Sequence, residues 1–331
     1  MLTVVVVNYT TAPLAVDCLR SLATERERDP ALASRWHVVV ADNASPDDSA
    51  DVLEKAVSDN GWGAWCRVAR LPRNGGFAYG NNAAVVADLE LWAGSGVDGR
   101  TGRSRYVLLL NPDTVVRPGA MAALLAYAEA HPEVGIFGSR LEDADGTPQC
   151  SAFRFPGVLS EFESAARLGV VTRLLRRWQV APPVQDRPHR CDWVAGACML
   201  VRRELWERLG GMDEGYFMYF EEVDFCLRAR RAGWLCHYVP AARVVHLVGQ
   251  SSGVTDTKRP PTRLPAYWFE SRRRYFQKNH GTAYRVAADV VWTAGQLLYR
   301  LHTTLRGRKR RDPPRLLRDF WCCAMGRRPA A

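Results

Sequence analysis

The amino-terminal part of the chain alternates between two apolar patterns. "LTVVVVNY" (2–9) and "HVVVADNAS" (37–45) begin as unbroken β-branched runs, which suit strands buried on both faces of a parallel sheet. "PLAVDCLRSLAT" (13–24) and "DSADVLEKAVSD" (48–59) instead space their apolar residues as helices do. "WCRVARLPRN" (65–74) reads as a third strand, and "GFAYGNNAAVVADLELWA" (76–93) opens on glycine and settles into a helix. "SRYVLLLNPDTVV" (104–116) reads as one fourth strand, with "GAMAALLAYAEAHP" (119–132) as the helix after it. This alternation predicts an α/β fold with a Rossmann-like, mostly parallel sheet flanked by helices. Such sheets bind ligands beyond the carboxyl ends of their strands. Four polar clusters fall there: Asn8–Tyr9, Asp42–Asn43, Asn74–Gly76 and Asn111–Asp113.

The pattern then loosens. A strand near "VGIFGSRLED" (134–143) leads into an Arg-rich, Pro-bearing segment at 150–190. "CDWVAGACMLVRRELWERLGGMDEGYF" (191–217) reads as a strand, a helix and a Gly-Gly turn. A helix from about Glu222 to about Ala232 precedes the extended "WLCHYVPAARVVHLVG" (234–249), and from Leu264 onward the chain reads as helical.

Charge divides the chain unevenly. Of the net +10, +8 lies between Gly281 and Ala331, where 11 Lys/Arg face 3 Asp/Glu. The body is therefore near neutral and the tail basic, which argues against a nucleic-acid binder with a basic working face. Nine scattered cysteines show no zinc spacing and read as free thiols of a reducing compartment. "MLTVVVVNYT" lacks the marks of a signal peptide, and no uncharged apolar run reaches spanning length. "AADVVWTAGQLLYRL" (287–301) followed by "RGRKRR" (306–311) suits an interfacial helix beside a polybasic segment on an anionic membrane. A solvated tail or a helix packed on the body is the competing reading.

Several strand-end residues carry candidate chemistry. Asp42 either accepts a hydrogen bond from a pyrimidine ring N–H or caps its own turn. "NGGFAYGNN" (74–82) supplies glycines that admit close backbone approach, together with Asn74 and Asn81. In "LLLNPDTVV" (108–116), strand alternation would set Asn111 and Asp113 on one face, with a Pro-Asp turn closing the strand as the competing reading. On one face the two form an oxygen-ligand pair of the kind Mg²⁺ or Mn²⁺ uses alongside substrate phosphates. "YFMYFEEVDFCLRARRAGW" (216–234) crowds Glu221, Glu222 and Asp224 among aromatic residues. A helix amino terminus accounts for some of that charge, and Asp224 stands four residues before Arg228, at ion-pair spacing. His246 after "AARVV" is a further candidate.

Taken in order, "VVVVNYT", "VVVADNAS", "NGGFAYGNN", "LLLNPDTVV", "DWVAGACMLVRRELWERLGGMDEGYFMYFEEVDFCLRARRAGW" and "VVH" resemble family 2 glycosyltransferases of the GT-A fold. Within these, the chain is similar to bacterial rhamnosyltransferases acting on polyprenyl-diphosphate-linked sugars. The likeness runs over roughly 2–250, and "PAYWFESRRRYFQKNHG" (265–281) shares it. It implies a glycosyltransferase domain at 1–250, with a donor half to about 117 and an acceptor half after it. A packed helical segment at 251–283 and an amphipathic, basic tail at 284–331 would follow.

The resemblance also implies roles. Asn8, Tyr9, Asp42 and Asn43 would hold the donor nucleotide. Asn74, Gly75, Gly76, Asn81 and Asn111 would line the donor pocket, and Trp193 and Gly196 the acceptor site. Asp113, with His246, would bind Mg²⁺ or Mn²⁺. Glu222 stands where the family places an Asp as general base, with Asp224 and Glu221 as alternatives. The expected reaction is inverting transfer of a sugar from a nucleotide-diphosphate donor (dTDP-rhamnose, with UDP-sugars as the other choice) to a polyprenyl-linked or glycan acceptor in cell-wall or surface polysaccharide synthesis. The expected place is the cytoplasm, peripheral on the inner face of the plasma membrane. A nucleotidyltransferase would need a basic, Gly-rich loop after the first strand, where this chain has "NYTTAPLAV". A glycoside hydrolase working through paired Asp113 and Glu222 would need no metal.

Overall fold

The computed structural model describes residues 1–92, 104–247, 261–310 and 312–328. Its strands are β1 (Leu2–Asn8), β2 (Trp36–Asp42), β3 (Cys66–Arg70), β4 (Tyr106–Leu110), β5 (Thr114–Val116), β6 (Val134–Glu142), β7 (Ala152–Phe153), β8 (His189–Cys191), β9 (Trp193–Val194), β10 (Cys198–Arg202) and β11 (Leu235–His246). Its helices are α1 (Ala12–Arg28), α2 (Pro30–Ala33), α3 (Ser49–Asp59), α4 (Gly76–Leu91), α5 (Ala120–Ala130), α6 (Val158–Ala166), α7 (Gly169–Leu174), α8 (Arg203–Leu209), α9 (Glu221–Arg231), α10 (Ala266–His280), α11 (Thr282–Leu305) and α12 (Leu316–Ala324).

One large sheet runs in the order β3-β2-β1-β4-β10-β6-β11-β5, with β8 added alongside β11. The first four strands are parallel, and the apolar runs of β1, β2 and β4 suit a sheet that helices cover on both faces. All seven residues of β1 and of β2 are buried. Beyond β4 the sheet becomes mixed, because β10 enters antiparallel between β4 and β6. One apolar layer, with Leu19, Leu22, Leu53 and Leu124, packs on one face of the sheet. The other, with Ala84, Val85, Trp206 and Phe225 from α4, α8 and α9, packs on the opposite face.

Two sequence expectations change. The run 104–116 is two strands rather than one: β4 ends at Leu110, and β5 resumes at Thr114 to pair antiparallel with β11. Pro112 has no N–H to give the ladder, so the chain turns there. Asn111 and Asp113 therefore sit on a turn, and strand alternation does not relate them. The segment 191–202 is three short strands, of which β8 and β10 join the large sheet and β9 pairs with β7. The proposed boundary at 250/251 lies outside the described residues. After it, α10, α11 and α12 close on α6 around Ala165, Phe269, Trp292, Leu316 and Phe320. Buried Arg272 of α10 locks this assembly by pairing with Glu161 of α6 and Asp289 of α11.

Candidate active site

The carboxyl ends of the parallel strands are organised by a side-chain network. Asn8, fully buried, donates from Nδ2 to Asp42 Oδ1 (2.8 Å) and accepts from the Thr11 hydroxyl (3.0 Å). Asp42 also accepts from the Ser45 hydroxyl (2.6 Å) and from the Ser45 N–H (3.0 Å). The turn-capping role of Asp42 is thus realised, and the network shapes the loops after β1 and β2. Tyr9 stands at the rim, 40% exposed. Asn43 donates to Asn74 Oδ1 and to the Gly76 carbonyl, both at 3.1 Å, while its own Oδ1 is buried without a partner. Asn81 is buried and donates back to the Phe77 carbonyl within α4 (2.9 Å).

Gly76 joins this strand-end cluster to the loop before α9. Its φ is +86°, and a Cβ there would lie 1.9 Å from the Phe217 carbonyl oxygen. Only glycine lets the two backbones meet, and the Phe77 N–H then donates to that carbonyl at 2.8 Å. Gly75 lies against the Tyr79 ring. The loop itself is wound tightly: Tyr219 and Phe220 adopt left-handed φ values of 70° and 67° just before α9. Thr10 and Ala44, after β1 and β2, are left-handed too. Four of the six described non-glycine residues with positive φ thus flank one site, where backbone strain characteristically collects.

Two further contacts bring the remaining residues in. Gly196 packs beside Phe77 and Glu222, since a Cβ there would lie 3.2 Å from the Phe77 ring and 3.9 Å from Glu222 Cβ. Next to it, the Ala197 carbonyl accepts the Asn111 N–H at 2.9 Å. The turn bearing Asn111 and Asp113 is therefore tied to the segment that touches Glu222. Trp193 takes part through packing: it stacks on Phe153 with centroids 4.1 Å apart, and its indole N–H donates to the Arg154 carbonyl.

The pairing of β5 with β11 sets His246 opposite Thr114, and its Nε2 reaches 3.6 Å from Asp113 Oδ1. Burial pushes the Asp113 carboxyl up and the His246 imidazole down, and their mutual attraction opposes both shifts. The imidazole is accordingly held neutral, the form that ligates a metal. Asp113 Oδ1 and Asn111 Oδ1 are both buried and find no hydrogen-bond partner among the described residues. These orphaned oxygens fit a hard divalent cation. No three His, Cys, Asp or Glu side chains converge on a metal site among the described residues. That suits Mg²⁺ or Mn²⁺, which keeps waters and draws its other ligands from substrate phosphates.

At the start of α9, Glu221 Oε2 and Glu222 Oε2 are also buried and unpartnered. Burial drives Glu222 up to about 7. Burial and then the charge of Glu222 drive Glu221 well above the usual carboxylate range. Glu222 keeps some surface open to water, whereas Glu221 is only 4% exposed. Asp224 behaves differently. It accepts from Arg228 Nε (2.9 Å), Lys278 Nζ (2.8 Å), Asn279 Nδ2 (2.8 Å) and the Tyr216 hydroxyl (3.2 Å). Both of its oxygens are taken, which ties α9 to α10.

Sequence reasoning missed Phe77 and Phe217, whose backbones clasp the two halves of the site. It also missed Tyr267 of α10, whose ring lies 5.4 Å from Phe217 and 6.1 Å from Tyr219. The aromatic run 216–220 was the available signal, but nothing local places α10 against it. A cavity of about 400 Å³ between α10 and α12, lined by Arg273, Arg274, Lys278 and Arg327 among others, shares none of the candidate residues.

A sheet of this order, with a polar network at its strand ends, an Asp at a strand-end turn and carboxylates at the start of a following helix, defines a GT-A glycosyltransferase. The solved structures agree on the fold. A mannosyltransferase from Pyrobaculum calidifontis, in complex with GDP-Man and Mn²⁺, superposes with a TM-score of 0.55 at 15% identity, covering 98% of this chain and 80% of that one. S. aureus TarS (residues 1–349) gives 0.51 at 14% identity, covering 98% and 79%. The family model "Glycosyltransferase like family 2" matches residues 1–275, and the chain belongs to that family. It is 32% identical over 326 residues to an N-acetylglucosaminyl-diphospho-decaprenol L-rhamnosyltransferase of Mycobacterium tuberculosis, covering 96% of this chain and 97% of the relative. To the rhamnosyltransferase WbbL of Escherichia coli it is 33% identical over 175 residues, covering 52% and 60%. The protein is a glycosyltransferase, and the nucleotidyltransferase, hydrolase and nucleic-acid readings fall away.

Proposed function

We propose that this glycosyltransferase moves L-rhamnose from dTDP-rhamnose onto an N-acetylglucosaminyl-diphospho-polyprenol, with inversion, at the cytoplasmic face of the plasma membrane. The product would feed cell-wall or surface polysaccharide synthesis. The observation that carries the substrate assignment is the end-to-end likeness to the mycobacterial decaprenol-linked rhamnosyltransferase. A shorter match, to a dTDP-rhamnosyl transferase of Shigella flexneri, supports the donor.

The residues divide the work. Asn8, Tyr9, Asp42 and Asn43 form the floor and rim for the nucleotide, while Asn74, Gly75, Gly76 and Asn81 shape the loop and helix start beside its sugar. Asp113 and His246, with Asn111 beside them, would hold Mg²⁺ or Mn²⁺. That ion, when bound, supplies positive charge to the departing diphosphate. Glu222 takes the proton from the acceptor hydroxyl, and a carboxylate whose burial sets it near 7 is well matched to that task. Gly196 leaves room for the acceptor sugar beside Glu222, and Trp193 stiffens the wall behind it. Glu221 is the more deeply buried of the two, with less surface open to an acceptor, and so competes poorly. Asp224 holds α9 in place.

A donor screen with purified protein, Mn²⁺ or Mg²⁺ and a prenyl-diphosphate-linked N-acetylglucosamine tests the reading. Transfer from dTDP-rhamnose, abolished by a chelator, is the expected result. Transfer from another nucleotide sugar alone would overturn the donor assignment. Asp113→Ala should weaken Mn²⁺-dependent donor binding by at least about tenfold in calorimetry, roughly 1.4 kcal/mol.

A further inference from the structure

Helix α11 has its polarity reversed. Its charged residues all face the body: Arg285 pairs with Asp289, Asp289 with Arg272, and Arg300 with Asp312. Its packed side also carries Trp292, stacked on Phe320 at 4.0 Å, and Gly295, where a Cβ would lie 2.8 Å from Ala165 Cβ of α6. The solvent side is the opposite. The exposed positions are Thr282, Ala283, Val286, Ala287, Val290, Ala294, Leu297, Leu298, Leu301, Thr304 and Leu305, without a single charge among them. The large ones are well exposed, from 36% at Leu298 to 77% at Leu305. Helices facing water place charge on that side, and a contiguous apolar face of this size marks a contact surface.

What lies next to that face says what it contacts. Immediately after Leu305 come Arg306, Arg308, Lys309 and Arg310, all exposed. An apolar helix face ending in a basic run complements the surface of an anionic bilayer, with side chains in the acyl boundary and the cations among the headgroup phosphates. No described helix is long and apolar enough to cross a membrane, so the helix would lie along the surface. We infer that the outward face of α11, from Val286 to Leu305, is a membrane-docking surface for anionic lipid. This rests on the reading above that the acceptor is lipid-linked, and it adds which face of the molecule meets the lipid.

The test is flotation of the full chain with phosphatidylcholine vesicles, with and without phosphatidylglycerol, comparing wild type with Leu297→Glu/Leu301→Glu. Wild type should float with the anionic vesicles and release in high salt. The double variant, changed only at exposed positions, should keep its circular dichroism and melting temperature and lose at least about tenfold in partition. Transfer to a short, water-soluble prenyl-diphosphate acceptor should be the same for both proteins, whereas transfer to long-chain acceptor in vesicles should fall with the variant. Equal flotation of variant and wild type would overturn the docking surface. So would a wild-type dimer, found by light scattering, that the variant converts to monomer while neither floats. Loss of transfer to both acceptors in wild type, with vesicle binding intact, would instead strike the functional reading and leave the surface standing.

Discussion

Glu222 and Asp224 stand two residues apart on one helix and meet opposite fates. Successive residues turn by about 100° around a helix, so these two project about 200° apart. Asp224 points into the joint between α9 and α10, where two cations, an amide and a phenol saturate it. Glu222 has its Cβ beside Gly196, its Oε2 has no partner, and burial raises its proton affinity. The lesson is that burial alone does not mark a working carboxylate. A buried acid whose oxygens are all spoken for is structural, and one left unsatisfied at a cleft is available for chemistry.

The sharpest way to break this contrast is a crossed pair of variants. Glu222→Gln should lower kcat about 10²–10⁴-fold, the usual worth of a general base, while donor affinity in calorimetry stays within about twofold. Near wild-type turnover would remove Glu222 from the mechanism. Asp224→Asn should do the reverse, lowering stability by about 3 kcal/mol because Arg228 loses its charged partner and Lys278 one of its two. Its turnover per folded molecule should remain close to wild type. A large kcat loss without destabilisation would move the base to Asp224.

The raised proton affinity of Glu222 sets two smaller expectations. Activity should climb about tenfold per pH unit below about 7 and level off above it, as the base ionises. Stability runs the other way. The folded state holds the Glu222 proton up to about 7 whereas the unfolded chain releases it near 4.5, so the penalty for burying the ionised group begins above 4.5 and is complete above about 7. Glu222→Gln should thus melt a few degrees higher than wild type at pH 8, an advantage of about 2 kcal/mol after allowing for its partial exposure. That difference should vanish by pH 4. A variant that melts lower at pH 8 would show the carboxylate to be structural after all.

Gly76→Ala gives a backbone version of the same comparison. Gly119 has the same left-handed φ but open space around it, so Gly119→Ala carries only the conformational cost, roughly 1 kcal/mol. Gly76→Ala adds the collision with the Phe217 carbonyl, and it should destabilise more and weaken donor binding, both measurable by thermal shift with and without nucleotide sugar. Equal costs at the two positions would mean that the 216–220 loop is free to move away.

Much of this was legible along the chain. The β-branched runs of β1 and β2 and the apolar run of β4 foretold a sheet covered on both faces, and Asn8, Asp42, Asn74 and Asn111 lay near strand ends as expected. At Pro112 the turn stood only as the competing reading, because an apolar strand continuing into "TVV" looks the same whether or not it changes partner. The ion-pair spacing of Asp224 and Arg228 was visible, yet Lys278 and Asn279 were not, since they arrive from a helix distant in sequence. For α11 the sequence showed an apolar helix beside a basic run but not which face was spare.

The sequence by itself determined the local alternatives: which segments are strands or helices, where glycine permits positive φ, and which residue types can hold a proton or a cation. Periodicity and backbone sterics operate over a few residues, so a linear reading captures them. Only the tertiary structure decided which of those residues work together. His246 reaches Asp113 because β11 pairs with β5. Glu222 packs beside Gly196 and keeps one carboxylate oxygen without a partner, while Asp224 is consumed by α10. Partner choice and desolvation depend on groups far apart in the chain, and those are the quantities that separate a structural acid from a reactive one.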